Sequence, residues 1–522
     1  MGLGIDFGTT RTVVAVADRG NYPLVAFEDD AGDTVEWFPS VVAERAGVLR
    51  YGFDAIAAAR DAGFAQVRSF KRLLAAPETR ADGSVRIGGH DVGVVALLEG
   101  YLTALRHALK TRSNLPKKLR SATRFEATVA TPANAFCTQR FVTLDAFRRA
   151  GFDVKAMLNE PSAAGFEYAH RHARTLNSKR EHVVVYDLGG GTFDASLVHM
   201  SGVHHDVVAT AGLSALGGDD FDRVLASMAA EQAGFRLDDL DDASAARLLD
   251  ACRDAKERIA PTTRKITLDL TSYLGDEAPV DEITVSASAY LEACAPLVER
   301  TLTAMQSIVD RTDLAAPEPD VERPSTDVAG LYVVGGASAL PTVGRLLRAR
   351  FGRRVHRSPY PHAAVAIGLA IAGDSASGFI LDDRFSRTFG LFRETAAGAR
   401  ATYDVLFARD TPLPRAGEPP RTIHRWYRPA HDVGHLRFFE CSGLDEAGEP
   451  QGDLAPLEEV WFAYDPALRD EGAPLADHLV RRLHGLGEII QETYSLDEKG
   501  LVTLAIEEPS TGYRQTTILG AR

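Results

Sequence analysis

Two short segments of the chain combine the residue types that hold a polyphosphate. Asp6-Phe7-Gly8-Thr9-Thr10 places a carboxylate, a glycine and two hydroxyls after an apolar run, and Asp187-Leu188-Gly189-Gly190-Gly191-Thr192 repeats that order with more glycine. Glycine reaches φ > 0 and brings backbone N–H groups close to an anion, while threonine hydroxyls add donors. A carboxylate cannot bind phosphate directly, so the two aspartates suit a Mg²⁺ ion held largely through its waters. Two such turns facing each other would clamp a triphosphate between two lobes.

A third glycine turn strengthens this interpretation. The apolar run Leu331–Val334 enters Gly335-Gly336-Ala337-Ser338. One such turn alone is typical of a simple connection between strands, because short motifs also match by chance. Three in one chain, two with the same Asp-x-Gly order, favour a phosphate site. The chain has neither a G-x-x-x-x-G-K-[ST] loop nor a strand–GxGxxG–helix fingerprint, so a nucleotide would bind by another scheme.

The elements that must position these turns alternate along the first 373 residues, which predicts an α/β architecture. Continuous apolar runs, as expected for strands covered on both faces, predict strands. These are Leu3–Phe7, Thr12–Ala17, Phe125–Ala130, Val183–Asp187, Ala195–His199 and Leu331–Val334. Helical periodicity predicts helices over Val94–Lys110, Thr138–Ala150, Asp219–Ala233, Ala243–Ile259 and Ala289–Arg311.

The pattern changes after Gly373. Asp374–Gly378 is small and polar, which is typical of a linker. Thr312–Thr326, rich in proline and acidic residues, is predicted to be an exposed loop. Beyond the linker, short and partly alternating segments predict an antiparallel β domain. These segments are Tyr403–Phe407, Gly434–Glu440, Val460–Tyr464 and Leu501–Ile506.

Composition excludes several classes of protein. The 522 residues predict about two to four domains, and 45% apolar with 25% charged residues excludes a mainly disordered chain. With 58 basic and 72 acidic residues the net charge is −14, so nucleic acid and anionic membranes are not expected as partners. No apolar run is long enough to span a membrane and no secretory signal opens the chain, so we expect it in the cytoplasm. Its four cysteines are widely spaced, which predicts reduced thiols.

Taken together, the motifs resemble the Hsp70 chaperone family, within the actin/hexokinase-like ATPase fold. The two Asp-Gly-Thr segments look like the family's two phosphate signatures. Further segments match in the family's order, and these are Ser69–Leu73, Asn159–Ala164, Gly217–Asp222 and Val333–Ser338. The resemblance is clear over residues 1–373 and weaker beyond them.

The resemblance implies a fold and a division of the chain. A two-lobed, ribonuclease H-like ATPase domain would occupy residues 1–373, with lobe I at about 1–175 and 355–373 and lobe II at about 176–354. A linker would follow at 374–384. Residues 385–522 would form a smaller antiparallel β-sandwich that resembles a substrate-binding domain, and we expect it to lack the family's helical lid.

The resemblance also implies a site for ATP or ADP with Mg²⁺, and with K⁺ as a further ion. Lys71 would orient the attacking water, with Glu160, Asp187 and Thr192 as the other catalytic residues. Asp6, Asp187 and Asp194 would lie near the metal. The residues expected to bind nucleotide are Gly8, Thr9, Thr10, Arg11, Gly189, Gly190, Gly191, Gly217, Gly218, Lys256, Gly335, Gly336, Ala337 and Ser338. Taken alone, Lys71 would be interpreted as a solvated surface lysine, the usual state of that residue.

Three further positions resemble the family's relay between domains. Pro132 and Arg140 match a proline–arginine pair that passes nucleotide state to the other domain, and Phe379–Asp383 resembles the apolar linker that docks in the ATP state. The alternatives are a strand-end proline, a surface arginine and a short edge strand.

The adenosine end departs from the family's pattern. The helix that clamps the purine keeps Lys256, but Arg253, Glu257 and Ala260 replace its other contact residues. The adenine-stacking arginine and a nearby aspartate would fall at Ala339 and His362, and Arg11 stands where an aromatic residue often lies. We therefore expect weaker ATP affinity or looser base selectivity.

The resulting interpretation is an ATP-dependent, Hsp70-like chaperone. Its partners would be unfolded or extended peptide segments, with a J-domain co-chaperone and a nucleotide exchange factor as further partners. Two alternatives stay open. The first is a non-catalytic, nucleotide-sensing scaffold, and the second is a phosphotransferase of the same fold such as a sugar kinase, since fold does not fix function.

Overall fold

The computed structural model describes most of the chain. The described residues are 2–59, 64–76, 78–172, 180–202, 204–271, 280–314, 328–395, 399–469, 474–483 and 487–521. Of the predicted loop Thr312–Thr326, residues 315–326 lie outside this part. In the described part, no helix is long and apolar enough to cross a membrane.

A five-stranded sheet, named here the first sheet, carries the first glycine turn. Leu3–Phe7 pairs antiparallel with Arg11–Val16 and parallel with Phe125–Thr131. Most of their side chains are buried, which is why continuous apolar runs predicted them. From edge to edge the strands are Phe152–Asn159, Phe125–Thr131, Leu3–Phe7, Arg11–Val16 and Phe38–Pro39.

A six-stranded sheet, the second sheet, repeats this arrangement. His182–Leu188 pairs antiparallel with Phe193–Ser201 and parallel with Val328–Val334. The order of strands is Val355–Arg357, Val328–Val334, His182–Leu188, Phe193–Ser201, His204–Leu213 and Ile380–Asp382. In both sheets the glycine turn therefore joins a central hairpin, and a parallel strand lies beside the first strand of that hairpin.

Two buried helices lie between the sheets and pack against each other. These are Glu160–His172 and Ala364–Ala372, and the second also packs on Leu3–Phe7. A Cβ added to Gly368 would overlap the carbonyl oxygen of Ala163, so the two helix backbones approach closely only because residue 368 is glycine.

The other elements surround these layers. The helices are Phe53–Ala58, Val94–Thr111, Lys117–Arg120, Cys137–Arg149, Gly218–Ala233, Asp242–Glu257, Ala287–Ala293, Ala295–Ala304, Gln306–Val309 and Pro341–Phe351. The short strands are Phe27–Glu28, Thr34–Val35, Val41–Arg45, Val48–Tyr51, Ala65–Arg68, Ser84–Ile87, His90–Gly93, Lys265–Asp269 and Glu282–Ser286. The prediction of one helix over Ala289–Arg311 was wrong, because the segment breaks at Cys294 and Met305 into three short helices.

The C-terminal region is an antiparallel β-sandwich. One sheet contains Arg400–Phe407, Thr388–Thr395, Val433–Leu444 and Pro450–Ala463, in that order. The other contains Arg421–Tyr427, Ile490–Leu496, Val502–Glu508 and Tyr513–Ile518. Buried aromatic and aliphatic residues, among them Phe389, Phe438 and Tyr494, fill the space between them. The predicted fold class, a two-lobed α/β unit followed by an antiparallel β unit, is confirmed.

The segment between these units is ordered. Ser375–Ser377 forms a 3₁₀ turn that Asp374 caps, since its Oδ1 accepts from the N–H of Ala376 at 3.0 Å. Ile380–Asp382 then pairs parallel with His204–Asp206. The predicted linker therefore supplies an edge strand of the second sheet.

We expect Gly368→Ala to destabilise the chain by roughly 3 kcal/mol, the upper part of the range for overpacking a core, since the new methyl group meets backbone that cannot move. Denaturant unfolding followed by circular dichroism measures this. Gly344 in helix Pro341–Phe351 is the matched control, because an added Cβ there meets nothing within 4 Å. Gly344→Ala should stabilise by up to about 1 kcal/mol. Equal effects of the two variants would contradict the packing argument.

Candidate functional site

The two hairpin turns face each other across the gap between the two sheets. A Cβ added to Gly190 would lie 2.6 Å from Cγ2 of Thr10, and one added to Gly191 would lie 2.9 Å from Cγ2 of Thr9. The N–H of Asp219 donates to the carbonyl of Gly190 at 2.8 Å and supports the second turn from behind. Glycine is required at these positions because any side chain would push the turns apart.

A cavity of about 320 Å³ opens between the turns. Most residues predicted for the site line it, and they come from both sheets and from the helices behind them. The predicted residues in its lining are Asp6, Gly8, Thr9, Thr10, Arg11, Lys71, Pro132, Glu160, Asp187, Gly189, Gly190, Thr192, Gly218, Lys256, Gly335, Gly336 and Ala337.

The other predicted residues support the lining or lie beyond it. Gly191 lies in the second turn and faces Thr9, and Gly217 packs behind that turn against the backbone of Gly190. The hydroxyl of Ser338 donates to the carbonyl of Gly335 at 2.6 Å and so braces the third turn. Asp194 borders a small adjoining cavity, and Arg140 lies at the contact with the β-sandwich, as described below.

Several lining residues were not predicted. Arg72 and Asp219 stand inside segments that matched the family, so their neighbours could have indicated them. Gln139, Leu340 and Arg357 carried no signal in the sequence, because long side chains from distant elements reach the cavity only after folding.

Lys71 is 5% exposed and lies inside this cavity. It follows Ser69, whose φ of 56° turns the chain into the 3₁₀ helix Phe70–Ala75. Its Nζ donates to the carbonyl of Phe7 and, at 3.1 Å, to Oε1 of Glu160. The interpretation of Lys71 as a solvated surface residue is therefore wrong.

Four carboxylates surround this single ammonium group. Glu160, Asp187 and Asp194 are buried and Asp6 is largely buried. Burial, and then the charge of Glu160, raises the pKa of Asp6 to about 7 and that of Asp194 to about 7. Burial also raises the pKa of Asp187 well above its usual range. The immediate surroundings of Lys71 thus carry a surplus of negative charge that a bound cation would offset.

The geometry of the carboxylates limits how they could hold a metal. In the described ranges no group of three or more His, Cys, Asp or Glu side chains is arranged to chelate an ion. Mg²⁺ keeps several waters and uses one or two carboxylates together with substrate phosphates, so these residues are compatible with a hydrated Mg²⁺.

The other end of the cavity is polar. Arg11 forms an ion pair with Glu257 across the cleft, and its guanidinium lies 4.4 Å from the ring centre of Trp37. Nε2 of His362 is buried and has no hydrogen-bond partner in the described structure. Lys256 donates to the carbonyl of Gly218 at 2.8 Å. Arg11, Glu257 and His362, which depart from the family's pattern, therefore all line this end of the cavity.

Arg140 connects the first sheet to the β-sandwich. It is fully buried, its Nη2 contacts Oδ1 of Asn159, and its Nη1 donates to the carbonyl of Lys499 at 3.3 Å. Asp383 of the linker accepts from the N–H and Nδ2 of Asn159 at 3.0 and 2.7 Å. Arg140 is therefore not a surface residue, and Pro132, which lines the cavity, lies in the same region of the first lobe.

The β-sandwich contacts both lobes directly. Glu440 accepts from the N–H of Cys137, at the start of helix Cys137–Arg149, at 3.1 Å. The guanidinium of Arg409 donates to Oγ1 of Thr210 in the second sheet at 2.8 Å. Because one contact is to the first lobe and the other to the second, a rotation of the lobes relative to each other would not change the two contact distances equally.

Comparison with known proteins identifies the family. The family model described as Hsp70 protein matches residues 108–398, which is more than half of the chain. The chain belongs to the Hsp70 family. The chaperone protein HscA of Cronobacter sakazakii is 32% identical over 529 residues, covering 98% of this chain and 77% of the relative. The proteins of the same name from Edwardsiella ictaluri and Klebsiella pneumoniae are 32% and 30% identical, with the same coverage.

Membership confirms the resemblance that the motifs indicated. This Hsp70 combines the family's ATP-binding fold with an antiparallel β region, and it matches HscA chaperones along nearly its full length.

Asp194 gives a pH-dependent prediction. Its pKa is about 7 in the folded protein against an ordinary 3.8, so its contribution to folding is fully present below pH 3.8 and is lost as the pH rises through about 7. Asp194→Asn keeps the acceptor that binds the N–H of Ala133 at 3.0 Å and removes the charge. Between about pH 4 and 8 we expect two effects in the variant without nucleotide. It should lose part of the decline in melting temperature that wild type shows between about pH 4 and 7, and it should melt above wild type near pH 8.

Thermal unfolding across this pH range measures both effects. Glu446→Gln, at an exposed position of the β-sandwich, is the control and should follow wild type. An Asp194→Asn variant that melts below wild type near pH 8 would contradict the surplus of negative charge.

Proposed function

We propose that this Hsp70 hydrolyses ATP in the cleft and uses its nucleotide state to control a peptide-binding β-sandwich. The observation that carries the proposal is the buried contact of Lys71 with Glu160 and Phe7, at the point where the two glycine turns meet. In this proposal residues 1–373 bind nucleotide, 374–384 form the linker and 385–522 hold the substrate.

The phosphates would bind mainly to backbone. The turns at Gly8–Thr10 and Gly189–Thr192 offer N–H groups and hydroxyls from opposite sides, and Gly335–Ala337 adds a third turn. Mg²⁺, when bound, neutralises phosphate charge, and Asp6, Asp187 and Asp194 are the residues that would hold it through its waters. K⁺ would be a further ion at the same end.

Hydrolysis requires positioning and electrostatic stabilisation more than covalent chemistry. A water oxygen attacks the γ-phosphorus, the new P–O bond forms, and the bond to the β–γ bridging oxygen breaks with its electrons going to ADP. Lys71 and the hydroxyl of Thr192 orient the water and offset charge on the γ-phosphate. The water's proton passes to a buried carboxylate, and the raised pKa of Asp187 suits that residue to accept it, with Glu160 assisting.

Nucleotide state would reach the β-sandwich through the linker contacts. Asn159 directly precedes Glu160 in the chain, and it contacts both Arg140 and Asp383. A shift of Glu160 on nucleotide hydrolysis would therefore move the residue that holds the linker. The substrate of the β-sandwich would be extended, unfolded polypeptide, and a J-domain co-chaperone and a nucleotide exchange factor would act on the cycle.

A second candidate function is a nucleotide sensor without turnover. The ion pair of Arg11 with Glu257 and the unpartnered Nε2 of His362 favour it, because they alter the base end while the phosphate end keeps its turns. A sensor would bind nucleotide and change its domain contacts but would leave the γ-phosphate intact.

We expect Lys71→Ala to lower the single-turnover rate of ATP hydrolysis by roughly a hundredfold or more, the usual cost of removing one transition-state donor. Rapid-quench measurement with excess enzyme reports this rate. Lys265→Ala, on an exposed position of strand Lys265–Asp269, should match wild type. An unchanged rate in Lys71→Ala would refute the catalytic assignment, whereas tight binding without hydrolysis in wild type would favour the sensor.

We expect Asp383→Ala to uncouple the domains, because Asn159 loses its two hydrogen bonds to Asp383 and keeps only the longer one, from Nδ2 to the carbonyl of Arg384 at 3.3 Å. The measurement is the ratio of ATP turnover with and without permanently unfolded, reduced α-lactalbumin, which should fall to about one. Asp91→Ala, an exposed change in the first lobe, should retain the wild-type ratio. A normal ratio in Asp383→Ala would show that coupling takes another route.

A further inference from the structure

His205 is a fully buried histidine at the base of the two lobes. Its ring stacks on Phe166 with centroids 4.8 Å apart and lies 5.2 Å from the ring of Phe379. Neither ring nitrogen has a hydrogen-bond partner among the residues that the structure describes. A buried polar ring without such partners is costly, so its surroundings fix its charge state.

Three parts of the molecule meet at this ring. His205 belongs to strand His204–Leu213 of the second sheet, and its backbone lies opposite Leu381 of the linker strand Ile380–Asp382. Phe166 comes from helix Glu160–His172 of the first lobe, and Phe379 directly precedes the linker strand. Departure of the linker would remove Phe379 and the neighbouring strand from His205.

The docked arrangement tolerates only the neutral imidazole. A second proton on the ring would create a positive charge between two phenyl rings, with no acceptor among the described residues for the added N–H. Burial lowers the pKa of His205 to about 4, and the nearby His199 and His204 act in the same direction.

Nearby carboxylates do not offset such a charge, because each already has a partner. Asp206, the next residue, pairs with Arg384 at 3.0 Å, and Asp382 on the linker strand pairs with Arg415 at 2.6 Å. Asp383 accepts from Asn159. The helix Glu160–His172, which supplies Phe166, carries two carboxylates. Glu160 pairs with Lys71, and Glu167 pairs with Arg171. His170 on the same helix adds no negative charge.

We propose that His205 is a proton-sensitive latch for the interdomain linker: the segment Phe379–Asp383 docks only against the neutral ring, and protonation of the ring releases it. This inference rests on the proposed function, in which the linker moves between docked and free states. Protonation of His205 would control the movement of the linker independently of the nucleotide.

The size of the effect follows from the two states of the ring. A ring freed by linker release would titrate near the ordinary value of 6.5, whereas the docked ring has a pKa of about 4. Docking of the linker is therefore fully favoured above pH 6.5 and is lost progressively as the pH falls from 6.5 toward 4. Between about pH 7.5 and 5.5 the docking equilibrium constant should fall roughly tenfold.

Two other buried groups at the docking interface act in the opposite direction. Burial raises the pKa of Asp383 and that of Glu440, so their protonation favours docking as the pH falls. Both groups are present in wild type and in any His205 variant. The difference between the two proteins therefore isolates the contribution of His205.

The test is hydrogen exchange of the backbone amides of Ile380–Asp382 in the full chain, without nucleotide and with Mg²⁺–ATP, near pH 5.5 and 7.5. Protection factors, which are corrected for the intrinsic exchange rate at each pH, report docking. Wild type should lose roughly tenfold more protection on acidification than His205→Phe does. His107→Gln, at an exposed position of helix Val94–Thr111, should behave as wild type.

His205→Leu is the second variant, for the case in which phenylalanine disturbs folding, and it should also lack the pH-dependent loss. The same pH dependence in wild type and in a folded variant would overturn the latch. Linker protection that responds to pH but not to ATP would instead overturn the proposed coupling to nucleotide and leave the latch standing.

Discussion

A charge imbalance inside the cleft is the constraint on which the rest of the structure depends. One buried ammonium group, that of Lys71, lies among four carboxylates, three of them from the two sheets and the fourth, Glu160, from the start of a helix. Like charges this close raise one another's pKa and weaken the closed arrangement unless a cation neutralises them. The two lobes therefore come together at a point of electrostatic strain, which a bound cation would relieve.

The duplicated hairpins explain how two sheets can bring such charges together. Each sheet presents an aspartate and a glycine turn at the same end of its central hairpin, so one packing of the lobes aligns both turns. Because Gly190 and Gly191 lack side chains, the second turn can touch Thr10 and Thr9 of the first. The internal helices that also meet through a glycine, at Gly368, hold the lobes at this distance.

The sequence predicted the parts of this site that depend on local chemistry. Strands buried on both faces are continuous apolar runs, and turns that must approach phosphate need glycine. The strands and the turns could therefore both be recognised in the sequence. The breaks in the helix predicted over Ala289–Arg311 were missed because apolar periodicity continues through Cys294 and Met305, where the helix is interrupted. The contact of Glu440 with Cys137 could not be predicted, because the two residues are 303 positions apart in the sequence and meet only when the whole β-sandwich docks.

Substitutions at the two ends of the cleft would have different effects on how the lobes pack. At the phosphate end the two turns meet through glycine, so a side chain added at Gly190 or Gly191 would crowd their approach. The base end is built from side chains such as Arg11 and Glu257, which are 30% and 39% exposed, and an ion pair this exposed contributes at most about 1 kcal/mol. Lobe closure cannot depend on so weak a contact. Other contacts join the two lobes, among them the ion pairs of Arg68 with Asp250 and of Arg72 with Asp219, so the side chains of the base end are free to change without opening the cleft.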